Sequence, residues 1–194
     1  RDTLKYTTES VLFCTGPAGV GEWEKRFETH DALAVLAART TGDDLQLIFA
    51  NHQQSSTYGH VPAYIYLGDK DGWKADRRVE LPGHSPGSIM PADFDDDGFV
   101  DILLVNDGED QPFGTPPSYI YHGGPNGIDP NSRTEIPTYL TWSGQVADIN
   151  KDGYLDLIFT TYNQQRVLFK NIVMIFYGSE NGYSLENSQT IELL

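Results

Sequence analysis

Residues 93–101, Asp93-Phe94-Asp95-Asp96-Asp97-Gly98-Phe99-Val100-Asp101, place five carboxylates in nine positions and run directly into the apolar Ile102-Leu103-Leu104-Val105. So dense a knot of like charge is either a solvated turn or a cage for a cation. A second copy argues for the cage. Asp148-Ile149-Asn150-Lys151-Asp152-Gly153-Tyr154-Leu155-Asp156 repeats the pattern 55 residues later and also enters an apolar run.

The same interval organises most of the chain. YIYLGDKDGW from Tyr64, YIYHGGPNGI from Tyr119 and MIFYGSENGY from Met174 start 55 residues apart, with Gly68, Gly123 and Gly178 in register, as are Leu81, Ile136 and Ile191. Shifting back from Asp101 lands on Gln46, whose Gln46-Leu47-Ile48-Phe49 matches the later apolar runs. Three repeats follow, at 31–85, 86–140 and 141–194, with residues 1–30 reading as the second half of a preceding unit. Short apolar and aromatic runs bounded by turn residues predict about four β-strands per repeat, including Ala32–Ala38, which the register sets opposite Gly- and Pro-containing segments. A period slightly above 50 with four strands per unit fits an all-β propeller, each repeat being one blade of four antiparallel strands.

The acidic loops acquire a chemistry in this frame. A Ca²⁺ ion takes six to eight oxygens, and alternate residues of a tight loop can aim oxygens at one centre. The ligands predicted are Asp93, Asp95, Asp97, Asp101 and the Phe99 carbonyl in the first loop, and Asp148, Asn150, Asp152, Asp156 and the Tyr154 carbonyl in the second. Gly98 and Gly153 stand where the chain must turn sharply. Position 12 of each loop falls within a strand, as Leu104 or Phe159, which excludes an EF-hand. The repeat 31–85 has Ala38, Thr40, Gly42 and Gln46 at the ligand positions and is expected to be metal-free, its turn held by backbone and hydroxyl hydrogen bonds. Two calcium ions per chain are therefore expected.

An acidic DxDxDGxxD loop entering a strand, followed by an aromatic strand ending in glycine, resembles the FG-GAP and VCBS repeats, which build the propellers of integrin α-subunits and occur in fungal lectins and extracellular bacterial proteins. The resemblance implies that the calcium loop joins the first two strands of a blade. Three and a half blades cannot close a ring of about four to eight, so residues 1–194 are expected to be part of a longer chain, and the resemblance implies seven blades.

Composition bounds the function. Thirteen basic against twenty-eight acidic residues give a formal charge of −15, which opposes nucleic-acid binding, and no apolar run reaches the length of a membrane span. The single Cys14 forms no internal disulfide. Gly83-His84-Ser85-Pro86-Gly87 spells GxSxG but no helix follows it, and the five histidines lack zinc-ligand spacing, with His52 and His60 short of a third partner. The expected function is a non-catalytic, calcium-stabilised module for binding or adhesion outside the cytosol, at the cell surface, in the periplasm or in the medium. Its ligand would be a carbohydrate or a protein, held on the face opposite the calcium loops by Tyr58, Phe113, Tyr139 and Trp142. The alternative is the propeller portion of a larger secreted enzyme, such as a polysaccharide-degrading one.

Overall fold

The computed structural model describes residues 8–17, 19–52, 60–107, 116–138, 141–163 and 170–192, and among these all regular structure is β. Strands β1 (Thr8–Gly16) and β2 (Gly19–Thr29) form a hairpin. Three antiparallel four-stranded meanders follow, blades of a β-propeller. The first comprises β3 (Ala32–Thr41), β4 (Asp44–Asn51), β5 (Ala63–Tyr66) and β6 (Arg78–Leu81). The second comprises β7 (Pro86–Ala92), β8 (Asp101–Asn106), β9 (Ser118–Tyr121) and β10 (Arg133–Ile136). The third comprises β11 (Thr141–Ala147), β12 (Asp156–Asn163), β13 (Lys170–Phe176) and β14 (Ser188–Glu192). The first strands β3, β7 and β11 lie beside one another, as strands gathered about a propeller axis do.

The two-residue period of each strand distributes its side chains between two interfaces. On β8, which is buried on both faces, Ile102 and Leu104 pack with Ile48, Ile65 and Leu81 of the first blade. Leu103 and Val105 turn the other way, against Leu157, Phe159 and Met174 of the third. The aromatic strand keeps the same phase, because Ile102 pairs with Tyr121 and Leu104 with Tyr119, which share their face, while Ile120 joins Leu103. Between hairpin and first blade, Phe27 sits among Leu47, Phe49, Tyr64 and Tyr66. This explains why the apolar runs read as continuous rather than alternating: a blade with neighbours on both sides has no solvent face.

Polar fixings repeat with the same period. The Tyr66 hydroxyl donates to the Glu28 carbonyl (2.7 Å), and its counterpart Tyr121 donates to the Pro82 carbonyl, each tying a blade to the segment before it. Arg78 stacks 4.0 Å over Tyr64 and Arg133 4.0 Å over Tyr119. The third blade has Met174 and Ser188 at those positions and lacks the stack.

Burial is nonetheless unequal between equivalent positions. Leu103 is fully buried, whereas Ile158, its counterpart on β12, is only half-buried and faces away from the other blades. Leu103→Ala should therefore cost about 2–5 kcal/mol and Ile158→Ala clearly less, in chemical denaturation followed by tryptophan fluorescence.

Candidate metal centre

The two acidic loops join the first strand of a blade to the second, β7 to β8 and β11 to β12. Their backbones are near copies. Asp96 and Lys151, at position four, have φ of 59° and 64°, and Gly98 and Gly153, at position six, 87° and 96°. The left-handed turn at position six needs glycine; the one at position four is tolerated by Asp and strains Lys.

Carboxylates organise each turn from within. Asp93 accepts the Asp97 N–H through Oδ1 (3.2 Å) and the Gly98 N–H through Oδ2 (2.9 Å), and Asp97 Oδ1 accepts the Phe99 N–H (2.8 Å). In the second loop Asp148 accepts the Lys151, Asp152 and Gly153 N–H groups, and Asp152 Oδ1 that of Tyr154. These bonds curl the chain round a centre towards which the position-one, -three and -five side chains converge. In the first loop, oxygens of Asp93, Asp95 and Asp97 lie within 4.8 Å of one another. Loop two differs at Asn150, whose Nδ2 donates to Asp152 Oδ2 (2.9 Å), so an amide hydrogen occupies a carboxylate oxygen that loop one leaves to the centre.

The last residue of each loop is its anchor. Asp101 and Asp156 are fully buried at the start of β8 and β12. Asp101 Oδ2 takes the Phe94 N–H from the loop entrance (2.9 Å) while Oδ1 takes the Gly123 N–H from the end of β9 (2.7 Å). Asp156 repeats both bonds, with Ile149 and Gly178. Burial pushes the Asp101 carboxyl above the usual carboxylate range, and Asp95 beside it adds to this, while the two N–H donors pull the other way. The folded chain then holds this proton longer than the unfolded one, so this group's contribution to the metal-free fold weakens as pH rises through the window above the ordinary carboxylate value. A cation beside Asp95 and Asp101 removes that cost.

Gln46 is the counterpart in the first blade, and it mimics the anchor without the charge. Its Oε1 accepts the Gly68 N–H (2.8 Å), its Nε2 donates to the Asp44 carbonyl (3.2 Å), and Arg39 donates to the Asp43 carbonyl (3.0 Å). The turn, expected to rest on backbone and hydroxyl hydrogen bonds, has Thr41 paired with Asp44 across it, and this amide and a guanidinium bind its carbonyls as well. In all three blades the glycine at the donor position is required. A Cβ on Gly68, Gly123 or Gly178 would collide with the carbonyl of Leu45, Val100 or Leu155 respectively.

The donor set fits a hard cation in both loops: carboxylates and a main-chain carbonyl on a preformed turn, with the Asn150 amide oxygen in the second. The Phe99 and Tyr154 side chains are exposed, leaving their carbonyls as the groups those positions offer. One residue near the centre was missed by the sequence pattern. His122, immediately after β9, brings Nδ1 to 3.2 Å from Asp95 Oδ2 and 3.9 Å from Asp101 Oδ2. Its signal was available in the register, because the corresponding positions are Leu67 and Tyr177.

Tyr58, Phe113 and Tyr139 lie outside the described residues; Trp142, on β11 at the end of the strands opposite the acidic loops, is 52% exposed. Ser85 of the GxSxG sequence is buried with φ of 50° and leads into strand β7, not a helix. The histidines do gain neighbours there. His52 Nε2 lies 3.4 Å from Asp107 Oδ2, and the His60 and His84 rings are 4.8 Å apart.

Residues 93–159, from the start of the first loop through the second loop into β12, match the family model of the FG-GAP-like repeat. That repeat is a structural, generally non-catalytic module. No curated protein matches the chain.

The glycine contact makes a sharp prediction. Gly123→Ala and Gly178→Ala should each destabilise the fold by roughly 2–4 kcal/mol, since the clash is with backbone. Gly124→Ala should be nearly neutral, because its Cβ would meet nothing closer than the Gly127 carbonyl at 4.0 Å. Thermal unfolding of the three variants checks this.

Proposed function

We propose that this chain, which carries an FG-GAP-like repeat over residues 93–159, is a calcium-stabilised propeller module for extracellular binding or adhesion, with blades at 31–85, 86–140 and 141–194 and a half-blade at 1–30. The supporting observation is the pair of loops in register, each curled by its own carboxylates and closed by a buried aspartate, beside a first blade where Gln46 fills the anchor position without charge.

Calcium acts here as a structural clip. Asp93, Asp95, Asp97, Asp101 and the Phe99 carbonyl would hold one ion, and Asp148, Asn150, Asp152, Asp156 and the Tyr154 carbonyl the other. Bound only to the folded chain, an ion at a hundredfold excess over its dissociation constant adds about 2.7 kcal/mol. A loop pinned in this way holds the next strand in register while the connections at the far end are left to meet a carbohydrate or protein ligand. Millimolar extracellular calcium suits exposed sites of this kind. A propeller within a larger secreted enzyme would use the ions identically.

Calorimetric titration of the chelator-stripped chain should find two Ca²⁺ sites, with Mg²⁺ a poor substitute because its smaller octahedral shell is hard to build from so many protein oxygens. The first loop should bind more tightly, having a carboxylate where the second has Asn150. Asp95→Ala should remove one ion while sparing the metal-free fold, since Asp95 makes no backbone hydrogen bond in the loop, and Asp156→Ala should remove the other and also destabilise the apo chain. Asp96→Asn should change neither. No binding, or three sites, would overturn the reading.

A further inference from the structure

The two loops are not equivalent, and the difference comes from outside them. The position before the register glycine is paired across to the outer strand in each of the later blades: Tyr177 donates to Gln189 Oε1 (2.9 Å), and His122 Nε2 meets Thr134 Oγ1 (2.9 Å). The imidazole is thereby oriented, with its other nitrogen directed at the loop. His122 Nδ1 has no contact with solvent and makes no hydrogen bond, although Asp95 Oδ2 is only 3.2 Å away. That oxygen is near enough for a hydrogen bond but lies off the direction in which a ring N–H would point. A buried imidazole nitrogen with no hydrogen-bond partner, set beside two carboxylates, is a position that a bound cation would satisfy. Adjacent ligands on a first-row transition metal, with bonds of about 2.1 Å, stand roughly 3–3.5 Å apart; the 3.2 Å between Nδ1 and Asp95 Oδ2 falls in that range, and Asp101 Oδ2, at 3.9 Å, lies just beyond it.

We propose that His122, Asp95 and Asp101 form a nitrogen-containing site for a divalent transition metal of the zinc class, overlapping the first calcium site and without a counterpart at the second acidic loop, in the third blade. The spacing of the donor atoms supports the set, since Nδ1 and one oxygen from each carboxylate lie within 4.8 Å of one another. Imidazole nitrogen is a preferred ligand of such metals, whereas an all-oxygen set favours Ca²⁺. The Asp95 side chain is 45% exposed, so the set is open to solvent on that side. The inference deepens the cation-loop reading and rests on it for the position of Asp95 and Asp101.

The test is a Zn²⁺ titration of the intact chelator-stripped chain against a chromophoric chelator, for wild type, His122→Tyr, which installs the side chain of the third blade, and His122→Gln. One zinc equivalent should bind to the wild type, be displaced by excess Ca²⁺ and be lost in both variants, while both variants still bind two Ca²⁺. Absence of zinc binding, or zinc binding that survives both substitutions, as it would if His52, His60 and His84 were responsible, overturns the inference and leaves the calcium reading intact. Absence of calcium binding in the wild type would instead defeat the proposed function, with the zinc titration still read by its own result.

Discussion

A single buried side-chain oxygen pair holds each acidic-loop blade together. Asp101 sits at the junction of three segments, the loop entrance at Phe94, the head of β8 and the glycine that follows β9, and its two oxygens take one N–H from each of the flanking segments. A backbone N–H buried without an acceptor is costly, so this residue cannot be an apolar one. The glycine cannot carry a side chain either, because the donor must pass against the carbonyl of the residue just before the anchor. Register across β7, β8 and β9 follows from these two constraints, and with it the phase that sends Ile102 and Leu103 to opposite interfaces.

The loops are also tied to neighbouring blades. Phe94, within the first loop, meets Tyr183 of the third blade edge to face, and the Tyr183 hydroxyl donates to the Leu155 carbonyl at the end of the second loop (2.8 Å). Burial, foremost, and the nearby Asp156 and Asp101 charges raise the Tyr183 hydroxyl well above its ordinary value, so it remains a donor. Trp73 makes the corresponding bond to the Leu45 carbonyl in the first blade. An ion that stiffened one loop would therefore act on an interface between blades, not on an isolated turn.

The candidate site was legible in part, and the limits have physical causes. The loop carboxylates could be read because a tight turn brings alternate residues of a short segment to one centre, a local property of the chain. The role of Gln46 was hidden because its side chain acts on Gly68, a residue distant in sequence, and an amide oxygen accepts that bond as well as a carboxylate does. His122 was hidden for the same reason: it reaches the loop only after β8 and β9 have paired. His52 and His60 were short of a third partner in sequence, yet pairing of β7 with β8 and stacking of the first two blades set His84 beside His60 and Asp107 beside His52.

The sequence by itself determined the repeat, the strand content and the two acidic turns, because each is encoded within a few residues or in an interval that recurs. Strand periodicity and turn chemistry are local, and a repeat of 55 residues shows itself without any knowledge of contacts. Only the tertiary structure decided which face of each strand meets which neighbour, which residue replaces a lost carboxylate, and that a histidine shares the first loop but not the second. Those are decided by side chains from separate strands arriving at one point, and the distances between them exist only once the sheets have paired and stacked.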